Sequence, residues 1–315
     1  MKTIQTIREG ERINEIYLCR AKTRALTKAG KPYESLLLQD KTGSIDAKIW
    51  DPGSQGIEDF DALDYVNVVA DVTAFQGSLQ LNVKRVRKCR EGEYDPADYL
   101  PSTEKNTEEM YRELLELTAS IRNKYLNQIL KNVFNDEEFK KKFCFHSAAK
   151  SVHHGFAGGL LEHTLSVARN CEFFSKQYSI LNRDLLVTAA LFHDIGKLKE
   201  LSTFPENDYT DEGQLIGHIV TGAQMVTDEI RRIPGFPKLL GEELIHCILA
   251  HHGELEFGSP KKPELAEAIA LSFADNLDAK METLKELFQA PGNAGGWFGF
   301  NSLMGSYIRK TDVEE

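Results

Sequence analysis

The sequence is poor in the features that would place it outside a cell or within a membrane. Its five cysteines, Cys19, Cys89, Cys144, Cys171 and Cys247, are scattered and odd in number, with no CxxC pair. That argues against a disulfide framework or a thiolate zinc site and fits a reducing compartment. No run of about 18 apolar residues occurs, so no segment is expected to span a membrane. Met1 to Gly10 carries Lys2, Arg8 and Glu9 without a continuous apolar stretch, so no signal peptide is expected. Together these absences point to a cytoplasmic protein. Positive charge is also short. With 38 Lys and Arg against 48 Asp and Glu, the formal net charge is -10, and such a chain is a poor generic polyanion binder. Histidine is missing from the first 145 residues, and all nine lie between His146 and His252. Catalytic or metal chemistry therefore belongs to the second part of the chain.

The length, 315 residues with 41% apolar and 27% charged, suggests two domains and allows a sizeable core. Residues 1–90 hold 15 Lys and Arg against 12 Asp and Glu, a net of +3, and the remaining 225 hold 23 against 36, a net of -13. The first stretch reads as strands. Ile13 to Leu26 alternates partially, Tyr33 to Asp40 is a short apolar run, and Ile45 to Trp50 alternates with period two. A further hairpin, Tyr65 to Phe75 and Leu79 to Val86, turns at Gln76-Gly77-Ser78. Five short strands with an irregular segment after the third suggest an OB-fold barrel over residues 1–90.

Residues 91–106, polar and carrying Pro96 and Pro101, read as a linker. From Thr107 the apolar period becomes 3.6, and Tyr111, Leu114, Leu115, Thr118, Ile121, Tyr125, Ile129 and Val133 form one stripe of a single long helix. Further helices are expected over Leu160–Tyr178, Arg183–Phe192, Ile216–Arg232, Glu242–His251 and Glu264–Phe288. The expected fold is thus multi-domain, an N-terminal β-barrel followed by an all-α domain over 107–290. A tail over 291–315, rich in glycine and aromatics, has no clear period, and the chain shows no internal repeat.

Polar residues recur in apolar helical surroundings: His163, the pair His193-Asp194, His218, the pair His251-His252, and Asp275. Burying imidazoles and carboxylates there is unfavourable unless they are paired or hold a cation. Imidazole nitrogen plus carboxylate oxygen suits Mn²⁺, Fe²⁺, Zn²⁺ or Mg²⁺. Singly, each residue would more often be a core histidine, a cap or an ion-pair partner; the ordered set is what suggests a metal centre.

The order His163, His193-Asp194, Asp275, with the flank Leu191-Phe192-His193-Asp194-Ile195-Gly196-Lys197, resembles the HD-domain metal-dependent phosphohydrolase superfamily. His218 and His251-His252 resemble the residues that binuclear members use for a second metal. A barrel before such a domain, and the segment His153 to Thr164, are similar to the YhaM-type 3′→5′ exoribonucleases. The resemblance implies that His163, His193, Asp194 and Asp275 bind one metal. Asp194 would bridge to a second ion held by His218, His251 and His252, with the choice between the last two left open. Two such cations, about 3.5–4 Å apart, activate water for in-line attack at phosphorus. Lys197 is a candidate for phosphate binding beside Asp194, and His153 and His154 for phosphate or sugar contacts.

Other superfamily members fit less well. The Gly-Tyr-Pro signature of cyclic-di-GMP enzymes is absent after the motif, where Leu198 to Pro205 follow. Deoxynucleotide triphosphohydrolases usually continue with His-Pro rather than Lys197-Leu198, and alarmone hydrolases carry a synthetase partner domain not found here. The resemblance therefore implies a manganese-dependent 3′→5′ exonuclease acting on single-stranded RNA, and on DNA, as a homo-oligomer. Aromatic platforms Tyr33, Trp50 and Phe75, with Arg24, Lys48, Lys84 and Arg85 for the backbone, are the candidates for holding the strand. The rival readings are a phosphodiesterase or nucleotidase of cyclic or mononucleotides, and a non-enzymatic nucleic-acid-binding factor.

Overall fold

A computed structural model of the chain describes residues 2–75, 78–150, 154–289 and 296–311. The chain divides into two compact units, Met1–Ser102 with Phe204–Glu206, and Thr103–Thr203 with Asn207–Glu315. All five cysteines are free thiols. Among the described residues no helix is long and apolar enough to cross a membrane.

Five strands build the first unit: β1 (Arg12–Leu26), β2 (Pro32–Asp40), β3 (Gly43–Ile49), β4 (Tyr65–Phe75) and β5 (Ser78–Lys88). They close into a barrel with the neighbour order β1-β2-β3-β5-β4. Every pairing is antiparallel except the parallel contact of β3 with β5, which closes the Greek-key barrel expected of an OB-fold. Alternation sets the faces. Ile45, Ala47 and Ile49 of β3 point inward against Val66, Val68, Ala70 and Val72 of β4, while Asp46 and Lys48 point out. The β1–β2 turn needs Gly30, whose φ of 76° favours a residue without a side chain.

The segment read as a linker is anchored over most of its length. Tyr94 stacks on Tyr65 at 3.9 Å, and Tyr99 and Leu100 are buried with Leu18 and Cys89. Gln39 donates its side-chain amide to the Tyr99 carbonyl at 3.0 Å. Prolines and acids gave this stretch a linker's composition, but two tyrosines and a leucine supply enough apolar surface to strap it down.

The second unit is helical: α1 (Thr107–Ser120), α2 (Lys124–Phe134), α3 (Glu137–Phe145), α4 (Gly159–Gln177), α5 (Arg183–Phe192), α6 (Lys197–Glu200), α7 (Asp211–Leu215), α8 (His218–Arg231), α9 (Lys238–Leu249) and α10 (Ala266–Gln289). The single long helix expected from Thr107 is in fact two. Asn123 caps α2, accepting from the Tyr125 and Leu126 amides, and Asp184 accepts from the Arg122 and Asn123 amides at 2.8 and 2.7 Å. The apolar stripe continues across the break because both helices pack on one core. At the centre lies α5, buried from Leu185 to Phe192, with Phe192 stacked on Phe134 at 5.6 Å. Within the tail, β6 (Trp297–Asn301) and β7 (Ser306–Arg309) form an antiparallel hairpin, an element for which the sequence offered no periodic signal.

Candidate metal centre and nucleic-acid face

Helix ends deliver the polar residues. His163 lies in the first turns of α4, and His193-Asp194 follow the last residue of α5. The next glycine, Gly196, is required by close approach. A Cβ there would lie 2.0 Å from the His218 carbonyl oxygen and 2.6 Å from the Gly222 nitrogen. The turn after Asp194 is thereby pressed against the start of α8, which carries His218. Since α9 ends at Leu249, His251 and His252 stand beyond it, and both rings turn toward His218. Asp275 comes from α10.

Each ring is held from behind. His193, His251 and His252 donate Nδ1–H to the carbonyls of Ala190, Ile248 and Phe257 at 2.7, 2.7 and 2.8 Å. His163 donates to Asp278 Oδ2 at 2.7 Å and His218 to Glu200 Oε1 at 2.8 Å. Such oxygens only accept, so the acceptors fix the tautomers and leave each Nε2 facing inward. There Asp194 Oδ2 lies 3.3 and 3.4 Å from the Nε2 atoms of His163 and His193. Its Oδ1 lies 3.4 and 3.6 Å from those of His218 and His251. Asp275 Oδ1 is 3.1 Å from His163 Nε2.

Asp194 is only 2% exposed; Lys197 Nζ lies 2.7 Å from its Oδ2, but among the described residues Oδ1, His218 Nε2 and His251 Nε2 receive no well-directed hydrogen bond. Inward-facing acceptors left this way are unfavourable without a cation among them. Among the described residues three sets have donor atoms within 4.8 Å of one another: His163, His193 and Asp275; His218, His251 and His252; and His154, His163 and Asp278, in which Asp278 accepts from both rings. Asp194 offers one oxygen to each of the first two. The residues present therefore fit divalent metal ions, and both members of the His251-His252 pair converge.

Burial opposes the charge on Asp194, but the Lys197 ammonium and the His193 and His163 rings hold its carboxyl well below the usual range. Asp275 is lowered against burial chiefly by His163 and His193. Burial pushes His251 and His252 down, toward the neutral ring that can ligate. For His163 burial acts downward too, yet the carboxylates of Asp194, Asp275 and Asp278 around it outweigh it and raise the ring well above its ordinary value.

The centre opens into a cavity of about 690 Å³ whose lining includes His154, Lys197, His252, Asp275 and Lys280. Lys197 sits 2.7 Å from Asp194 Oδ2, so its first partner in the protein is that carboxylate. His154 lines the cavity but spends Nε2 on Asp278 Oδ2 at 3.1 Å. His153 lies outside the described residues.

On the barrel, Tyr33 and Trp50 stack at 5.1 Å on the outer face of β2 and β3, and Trp50 is 50% exposed. Lys48 shares that face, with Nζ 2.6 Å from Ser35 Oγ. Lys84 and Arg85 are exposed on β5, Lys84 being 3.7 Å from Asp71. Two candidates stand apart. Phe75 pairs with Ser78, whereas Lys48 pairs with Asn82, which places Phe75 about 20 Å from Trp50 along the strand direction at ~3.3 Å per residue. Arg24 is paired through Nε with the buried Glu34 at 3.0 Å, although its side chain stays 80% exposed.

Residues 160–280 match the HD domain family. Over 279 residues the chain is 34% identical to a 3′-5′ exoribonuclease YhaM from Geobacillus sp. (strain WCH70), spanning 87% of this chain and 84% of that relative. The chain belongs to the YhaM-type family of HD-domain hydrolases. Among solved structures it is similar to the second OB-fold domain of replication protein A from Methanococcus maripaludis, at 21% identity over 29% of this chain and 97% of that one, with a TM-score of 0.22. The OB assignment rests on strand order, not on that likeness. As a YhaM-type hydrolase the chain is a divalent-metal-dependent enzyme acting on phosphodiester bonds.

Sequence reasoning missed Asp278 and Glu200, the acids behind His163 and His218. Asp278 is one helical turn beyond Asp275, a spacing that puts both on one face, and this was the available signal. For Glu200, 18 residues before His218, the sequence offered none.

Proposed function

We propose that this YhaM-type hydrolase is a cytoplasmic 3′→5′ exonuclease that degrades single-stranded RNA, and single-stranded DNA, to nucleoside monophosphates with two manganese ions. The observation that carries the reading is Asp194, whose two oxygens face two separate histidine clusters. His163, His193, Asp194 and Asp275 would hold one ion, and Asp194, His218, His251 and His252 the other. When bound, such a pair supplies a hydroxide at neutral pH and neutralises charge on the phosphoryl oxygens.

The remaining work falls to the chain's own residues. The Nδ1 contacts fix each ring before substrate arrives, so little reorganisation is needed. Lys197, beside Asp194 in the cavity wall, places an ammonium where negative charge grows during attack on phosphorus. Lys280 lines the same cavity and offers a further cation for the strand's phosphates. On the barrel, Tyr33 and Trp50 present ring faces to bases, with Lys48 and Lys84 for the backbone.

The test follows 5′-labelled single-stranded RNA with Mn²⁺ on a sequencing gel. A ladder shortening from the 3′ end in the wild type and absent in Asp194→Ala is expected. A strand left intact by both proteins sinks the exonuclease reading and favours hydrolysis of cyclic or mononucleotides.

A further inference from the structure

Only two of the five inward-facing rings lean on carboxylates. His193, His251 and His252 donate Nδ1–H to backbone carbonyls, which carry partial charge and belong to the helices themselves. His163 leans on Asp278 and His218 on Glu200, and these two rings belong to different halves of the centre. Asp278 is nearly buried and takes three donors: His163 Nδ1 at 2.7 Å and His154 Nε2 at 3.1 Å on Oδ2, and the Ser166 hydroxyl on Oδ1. Glu200 Oε1 accepts from both the ring Nδ1 and the backbone N–H of His218, at 2.8 and 3.0 Å, so one oxygen fixes the ring and the first residue of α8. A full negative charge behind an imidazole locks its tautomer and makes the opposite nitrogen a stronger donor to a cation.

We propose that Asp278 and Glu200 are positioning residues with separate duties, Asp278 setting His163 for one metal ion and Glu200 setting His218 for the other. The inference rests on the two-metal reading above. Removing either charge weakens one ion and spares its neighbour. A merely structural role would instead lower stability and leave the affinities of the folded protein unchanged.

Mn²⁺ is titrated into the metal-free full-length chain by calorimetry, with thermal melts reporting on folding. Asp278→Asn and Glu200→Gln are each expected to weaken one binding step by about 10- to 100-fold, the range found for such outer partners. They should weaken different steps, so the double variant weakens both. Ser166→Ala removes one donor from the same carboxylate but spares its bond to His163, and it is expected to bind both ions as the wild type does. The proposal is overturned if the folded single variants keep wild-type affinities or if both weaken the same step. Should Asp278→Asn fail to fold, Glu200→Gln alone decides, since an unchanged profile there removes the division of duties. Wild-type protein that takes up no Mn²⁺ would instead overturn the two-metal reading beneath it.

Discussion

His163 is where proton and metal compete for one nitrogen. Its Nε2 faces Asp194 and Asp275, its Nδ1 is tied to Asp278, and these carboxylates raise the ring well above 6.5 despite burial. In the metal-free protein the charged ring therefore stabilises the fold below the unfolded-state value near 6.5, and that contribution is lost as pH rises through the higher folded-state value. Metal binding has the opposite slope, because it needs the neutral ring and tightens as pH rises. Calorimetric titration of Mn²⁺ at pH 7 in buffers of differing ionisation enthalpy is expected to show release of about one proton. Heats independent of the buffer would mean that His163 is already neutral. The inward-facing residues were legible in the sequence because histidine and aspartate among leucine, alanine and phenylalanine demand an explanation. Asp278 and Glu200 were not, because an acid on a helix looks solvated until the Nδ1 atom it serves has a position.

At the scale of elements, the centre depends on how closely the turn after α5 approaches the start of α8. A methyl group on Gly196 would overlap the His218 carbonyl and the Gly222 nitrogen, both backbone atoms that cannot swing aside. Gly196→Ala is expected to destabilise the helical unit by about 1–3 kcal/mol as an overpacked contact. It should also displace His218, weakening Mn²⁺ uptake in whatever fraction stays folded. A thermal melt and metal affinity equal to wild type would show that the approach is looser than described. The barrel strands were readable because a buried face imposes period two on residues such as Ile45, Ala47 and Ile49. The break between α1 and α2 was not, since Ile121 continues the stripe and the local reason for stopping, Asn123 capping α2 with Asp184 holding its amide, is partly 61 residues away. Composition did not reveal the anchoring of residues 94–100 for a similar reason. Tyr94 and Tyr99 matter only once Tyr65 is in place beside them.

Across the whole molecule, charge and chemistry are divided between the units. The metal-binding candidates all lie in the second, while the stacked Tyr33–Trp50 pair and Lys48 belong to the first. If the barrel holds the strand, Trp50→Ala should weaken binding of a long single strand by the about 1–3 kcal/mol assigned to one stacked base. Hydrolysis of a dinucleotide, too short to need the barrel, should be unchanged. Lys48→Ala should flatten the dependence of strand binding on salt by about one phosphate contact. Equal losses on long and short substrates would place these residues in folding rather than in strand binding. The same pair has an optical consequence. The chain contains two tryptophans, Trp50 and Trp297, and the indole of Trp50 is half exposed with one face already covered by a tyrosine. A nucleobase settling on the uncovered face would quench its emission, so a Trp297→Phe protein carries an intrinsic fluorophore that reports strand arrival in real time, before any bond is cut.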